Sequence, residues 1–132
     1  MDIRKRFGTD RDLEESGVWQ NVSDTCSILV ARMNNARYNA RFQELAGPKR
    51  EIIRRSLISN EDAEELLLRV MSETILLDWK GVTEDGKPFP YTRENAYRLL
   101  KELPDFRMLV QGFAETADAY KKDEIGASVK NL

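Results

Sequence analysis

Residues 59–79 read SNEDAEELLLRVMSETILLDW, and the reading of this stretch decides the fold. Ser59 stands three positions before Asp62, close to the capping box of a helix start, with Asp in place of Glu or Gln. Ala63, Leu66, Leu67, Val70, Met71, Thr74 and Ile75 then recur at the spacing of one helical face, and Asp78 and Trp79 close the pattern. The spacing predicts a single helix of about 20 residues, a rod of roughly 30 Å. Glu61, Asp62, Glu64 and Glu65 crowd its first turns, where carboxylates meet the positive end of the helix dipole.

Downstream, Trp79 to Tyr91 breaks the helical period. Glu84-Asp85-Gly86 reads as a turn, and Pro88 and Pro90 bracket Phe89. Thr92 can cap a helix with Ala96, Leu99, Leu100 and Leu103 facing inward, which Pro104 stops. Asp105 can cap a last long helix carrying Phe106, Leu109, Val110, Phe113, Ala114, Ala117 and Tyr120 on one face. Upstream, Tyr38, Phe42 and Leu45 mark a helix ended by Gly47-Pro48, and a second piece over about Lys49 to Ile58 carries Ile52, Ile53, Leu57 and Ile58. Before these, Val18, Trp19 and Val22 precede Ser23-Asp24-Thr25, and Ile28, Leu29 and Val30 follow it, the pattern of a β-hairpin. Asp2 to Glu15 alternates charge with little apolar content beyond Ile3, Phe7 and Leu13, which predicts a mobile arm. The expected fold is mainly α: four to five helices with a small N-terminal hairpin. Residues 1–17 form the arm, 18–122 the single helical domain, and 123–132 a frayed tail.

The whole-chain balance narrows the chemistry. With 132 residues, 41% hydrophobic and 33% charged, the chain has the size and composition of one soluble globular domain. Lys plus Arg 21 against Asp plus Glu 23 leaves −2, so no global field points to nucleic acid or membrane. There are no histidines and one cysteine, Cys26, which removes Cys/His zinc sites, Ser-His-Asp and Cys-His catalysis, and disulfides within the chain. A lone cysteine suits a reducing cytosol. No apolar stretch approaches the roughly 20 residues of a membrane span, and the start lacks the apolar segment of a signal peptide. No enzyme activity, cofactor or metal is expected.

Two features invite a sharper reading. From Arg32 to Arg55 the chain carries a local +5, including Arg50, Arg54 and Arg55, whereas Ser59 to Leu132 carries a local −5. A basic strip can track phosphates, but no helix-turn-helix signature, phosphate loop or aromatic platform accompanies it. Docking between copies of the chain, or on a protein partner, is the favoured use, with nucleic acid the disfavoured one. Arg50, Arg54 and Arg55, with Phe7 and Leu13 on the arm, are the candidates for self-association. Trp19, Trp79, Phe89 and Tyr91 are large aromatics outside plain helical faces. They read either as core or as interface anchors, where Trp and Tyr are over-represented.

Several segments resemble the tail assembly chaperones of long-tailed, non-contractile bacteriophages. Phe7-Gly8-Thr9-Asp10-Arg11-Asp12-Leu13-Glu14-Glu15-Ser16-Gly17-Val18-Trp19 is similar to an opening in which an acidic stretch leads into Gly-Val-Trp. Ile28-Leu29-Val30-Ala31-Arg32, Asn34-Asn35 and Tyr38 follow in kind. The strongest similarity is Leu76-Leu77-Asp78-Trp79-Lys80-Gly81-Val82, then Asp85-Gly86-Lys87-Pro88-Phe89-Pro90-Tyr91-Thr92, Glu94-Asn95-Ala96 and Leu99-Leu100. Leu103-Pro104-Asp105-Phe106 and Lys130-Asn131 complete it; Pro48 to Ile58 resembles nothing in the family.

The resemblance implies a protein that binds and solubilises the tape measure protein in the host bacterial cytoplasm. It would help recruit tail tube protein subunits, self-associate as a homo-oligomer, and be left out of the finished virion. Trp79, Phe89 and Tyr91 would border a partner groove, with Trp19 a further anchor, while the faces of Leu66 to Trp79 and Phe106 to Tyr120 form the core. A minor tail or connector protein of the virion and a small nucleic-acid-binding regulator are the alternatives. The family also commonly makes a longer product by ribosomal frameshifting. Lys130-Asn131 suits such a slip if the Val129 codon ends in A, so sequencing codons 129–131 should show an A-rich slippery run; a non-slippery run there argues against the longer product.

Overall fold

Short polar side chains set the helix starts. Asp2 and Asp10 accept backbone N–H bonds at the heads of α1 (Ile3–Phe7) and α2 (Arg11–Ser16), and Asn35 does so for α3 (Ala36–Ala46). A 3-10 turn, Gly47–Lys49, leads into α4 (Arg50–Arg54). Ser59 caps α5 (Asn60–Thr74), and Thr92 caps α6 (Arg93–Glu102). Pro104 opens α7 (Pro104–Ala114) at the first helical position, where its missing N–H costs nothing. A 3-10 turn, Ala117–Tyr120, follows. The strands are β1 (Val18–Asn21), β2 (Ser27–Val30), β3 (Leu76–Lys80), β4 (Thr83–Glu84) and β5 (Lys87–Pro88). The computed structural model describes residues 1–121; the tail expected to fray, 123–132, lies outside them, as does Lys130-Asn131.

The helix expected over residues 59–79 divides at Thr74. Ile75 closes α5, and Leu76 to Lys80 pairs antiparallel with β2 as the third strand of a sheet ordered β1-β2-β3. The register is Ser27 with Lys80, Ile28 with Trp79 and Leu29 with Asp78, and it then shifts so that Val30 faces Leu76. Leu77 is thus the extra residue of a β-bulge. In a regular strand Leu76 and Trp79 would point to opposite faces; the bulge turns both inward, where both are buried. Buried residues three apart mimic the helical period, which is why the sequence pattern runs on without a break.

A second antiparallel pair, β4 with β5, closes through Asp85 and Gly86, both at positive φ, as a two-residue type I′ turn requires. Gly81, also at positive φ, ends β3 where a Cβ would lie 1.8 Å from the Thr25 carbonyl oxygen, so no other residue fits under the β1–β2 turn. With two sheets among the described residues, the chain is mixed α and β, which corrects the expectation of a mainly helical fold with one hairpin.

The segment read as a mobile arm carries α1 and α2. Beyond exposed α1, the segment is tied down: Thr9 bridges Lys121, Asp10 N–H donates to the Tyr120 carbonyl at 2.8 Å, and Arg32 N–H donates to the Glu14 carbonyl at 2.8 Å. The last long helix breaks after Ala114, and Glu115 and Thr116 lead into the turn that buries Tyr120. One core results. Ile28, Val30, Leu76 and Trp79 from the sheet pack with Tyr38, Leu68, Val70, Met71, Ile75, Ala96, Leu100, Val110 and Ala114.

Tyr120 anchors the C-terminal side of this core by donating its hydroxyl to the Val30 carbonyl at 2.9 Å. Replacing it with Phe should cost about 1 kcal/mol at neutral pH, one buried hydrogen bond. Burial pushes the phenol up to about 12 from an ordinary 10.0. The folded state therefore favours the neutral form, a stabilisation complete below the unfolded value and lost as pH rises through about 12. Urea midpoints measured across that alkaline range should fall more steeply for the native chain than for Y120F. A constant gap between the two would show that burial does not hold the phenol neutral.

Candidate partner-binding surface

Trp79, Phe89 and Tyr91 do meet, Trp79 buried and the other two half-buried. The β4–β5 hairpin, held by Phe89 N–H on the Val82 carbonyl at 2.9 Å, folds Phe89 over β3. Trp79 donates its Nε1–H to the Phe89 carbonyl at 2.8 Å and stacks on the Phe89 ring at 5.9 Å between centroids. Tyr91 meets the Trp79 ring edge-on at 5.0 Å and donates its hydroxyl to the Leu76 carbonyl at 2.6 Å. The Arg98 guanidinium lies 5.9 Å from the Phe89 ring. With Trp79 only 6% exposed, the trio is a clasp between hairpin, sheet and α6, and of the two readings open for Trp79, core or anchor, the fold places its side chain in the core.

Trp19 behaves differently. Strand alternation puts it opposite Leu29 on the outer face of the sheet, away from the core side chains of Ile28 and Val30. It is 40% exposed, and the Lys80 ammonium sits 4.2 Å from its ring centroid, a cation–π contact. A Cβ placed on Gly17 would lie 3.2 Å from both Leu29 and Leu77, so those two half-buried side chains flank Gly17 on one face.

Large apolar side chains also stand out from three separate helical regions. Ile3 and Phe7 are one turn apart on α1, with Phe7 67% exposed, whereas Leu13 on α2 is half-buried. Ile52 on α4 and Leu57 just after it are exposed. Leu103, Met108 and Leu109 project at the α6–α7 corner. Leu109 was expected in the core; α7 instead turns Val110 and Ala114 fully inward, leaving Leu109 at the margin beside Met108. Sequence reasoning did not single out Met108, although its position off the Phe106, Val110 and Phe113 stripe is the signal that it faces away.

The basic strip is mostly neutralised within the chain. Arg54 and Arg55 share Glu51, at 2.5 and 3.1 Å, and their exposed carboxylate partner is held below its usual range chiefly by the Arg54 hydrogen bond. Lys49 pairs with Asp62 at 3.0 Å, Arg41 with Glu73 at 2.7 Å, and Arg32 with Glu14 at 3.7 Å. Arg50 is exposed on α4. Surface pairs of this kind add at most about 1 kcal/mol each, but they consume the cations that a phosphate track would need.

The carboxylates of α5 border an open hollow of about 440 Å³ with Lys101. They too are tied to other groups: Glu64 to Arg107 at 3.1 Å, and Glu65 to Arg69 at 3.1 Å and to the Tyr97 hydroxyl. Donating to Glu65 raises the Tyr97 phenol above its ordinary value. Among the described residues no group of three His, Cys, Asp or Glu side chains is placed to hold a metal, and no helix is long and apolar enough to cross a membrane. What the described surface presents is separated large apolar side chains set among paired charges.

A protein-family model described as "YdaY prophage protein" matches residues 33–131, which takes in everything from α3 to α7. No curated protein and no solved structure matches the chain.

The two tryptophans should report their different surroundings. Trp79→Ala should cost about 3–5 kcal/mol, as for a large buried aromatic, and Trp19→Ala about 1 kcal/mol or less. In acrylamide quenching, W79F should leave an emission that is readily quenched, and W19F a blue-shifted one that resists. Equal quenching of both variants would contradict the placement of Trp19 on the outer face.

Proposed function

The chain belongs to the YdaY prophage protein family and is phage-derived, and from that premise we propose that it is a tail assembly chaperone. It binds the tape measure protein in the host bacterial cytoplasm, keeps that chain soluble, and helps recruit tail tube subunits. It acts as a homo-oligomer, makes and breaks no bond, and is released before the virion is complete. The observation that carries this reading is the set of exposed large apolar residues on the outer sheet face, α1, α4 and the α6–α7 corner. The segment similarities around Leu76–Val82 and Asp85–Thr92 support it further.

The physical logic is exchange of one apolar surface for another. A long, apolar-rich helical chain aggregates when its surface stays uncovered. Side chains such as Met108, Leu109, Phe7 and Trp19 can cover it, and methionine adapts to an irregular partner because its side chain is unbranched and flexible. Dispersed small anchors bind each stretch weakly, which lets polymerising tube subunits displace the chaperone. Mass spectrometry of purified particles separates this from a minor tail or connector role, since a virion component would be found there.

Co-expression tests the proposal. The tail-length protein of the same prophage should shift into the soluble fraction when produced with this chain. Met108→Glu with Leu109→Glu, at exposed positions where folding is retained, should weaken the complex about tenfold, roughly 1.4 kcal/mol. If the native chain leaves the tail-length protein insoluble, or if the double variant rescues it equally well, the reading fails at the partner or at the surface respectively.

A further inference from the structure

A pocket of about 270 Å³ lies between α3, α5 and α6, lined by Arg37, Arg41, Glu44, Glu73, Thr74 and Arg93 with Ala40. Arg41 forms its fixed wall. Its Nε–H and one terminal N–H grip both oxygens of Glu73 at 2.7 and 3.3 Å, and another N–H reaches Glu44 at 2.9 Å. The other two guanidinium groups make no side-chain hydrogen bond among the described residues, although the Arg93 charge helps to hold Glu73 below its usual range. Arg37 lies one helical turn before Arg41 on α3, Arg93 is the first residue of α6, and neither forms an ion pair among the described residues.

Their placement runs against helix electrostatics. Both arginines occupy first turns, where the positive end of the helix dipole repels a cation, and α3 has no acidic residue in its first turn to compensate. An anion in the pocket would turn this local cost into a gain. Both side chains line this one pocket. Nearby, burial raises the Tyr91 phenol above its ordinary value, Arg93 and Arg37 pull it back, and the Asp78 carboxylate adds to the rise.

We propose that Arg37 and Arg93 form a receptor for a single carboxylate side chain presented by an acidic segment of a protein partner. The volume suits one side chain and falls below the usual size of a small-molecule site. The planar, two-pronged guanidinium is the group that best matches a carboxylate. Glu44 and Glu73 on the wall choose between classes of anion: a lone carboxylate can sit between Arg37 and Arg93, whereas a polyphosphate backbone would bring neighbouring charges against both glutamates. The inference stands apart from the identity of the tape measure as partner.

Titration of the ¹⁵N-labelled protein with acetylated hexaglutamate, followed at the arginine Nε–H signals, tests it. Saturable shifts are expected at Arg37 and Arg93 and not at Arg50, an exposed arginine of the same basic strip. Arg37→Gln with Arg93→Gln should weaken binding about tenfold or more while leaving the circular-dichroism melt in place. A DNA duplex of equal charge should bind this pair more weakly. Equal shifts at Arg50, unaltered affinity in the double variant, or preference for the duplex would each overturn the proposal.

Discussion

The antiparallel pairing of β2 with β3 is the constraint on which the rest of the structure depends. β2 is the central strand, and its Ile28 and Val30 are fully buried, so both of its backbone edges need partners that water cannot supply. The hairpin with β1 meets one edge. The other draws Leu76 to Lys80 out of the helix that precedes it, and the bulge at Leu77 lets that short strand present both Leu76 and Trp79 to the core. Once β3 is set, the aromatic clasp on Trp79 and the seat for the β1–β2 turn at Gly81 follow from it.

Local signals written in a few neighbouring residues were legible. Ser59 and Thr92 read as caps because a short oxygen acceptor before an apolar stripe has one productive use. Ser23-Asp24-Thr25 between two β-rich runs marked the turn between β1 and β2, and Glu84-Asp85-Gly86 marked the one between β4 and β5. What the sequence hid was set by partners far along the chain. The run Ile75-Leu76-Leu77 suits a helix interior and a strand equally, and only the edge of β2, nearly fifty residues earlier, decides. Asp2 to Glu15 looked too polar to order, yet backbone bonds to Tyr120 and Arg32, invisible to composition, hold its second half.

The site residues divide along the same line. The aromatics were singled out for their chemistry, and chemistry alone could not say which would find an internal acceptor. Trp79 has the Phe89 carbonyl beside it and is enclosed; Trp19 has only Lys80 over its ring and stays at the surface. Charge counting over Arg32–Arg55 likewise saw a basic strip, whereas the folded chain distributes carboxylates from α3, α4 and α5 among its members. Arg37 and Arg93 stand 56 positions apart in the chain and share one pocket because α3 and α6 both pack against α5.

The seam between Thr9–Asp10 and Tyr120–Lys121 imposes an order on biosynthesis. As the polypeptide leaves the ribosome, its first thirty residues emerge long before β3 and Tyr120 exist to cover Ile28 and Val30. Until translation has supplied α5, β3, α6 and α7, that greasy strand lacks its cover. A newborn copy on a crowded polysome therefore has sticky surface of its own to shield, and neighbouring nascent copies are the first candidates to do so.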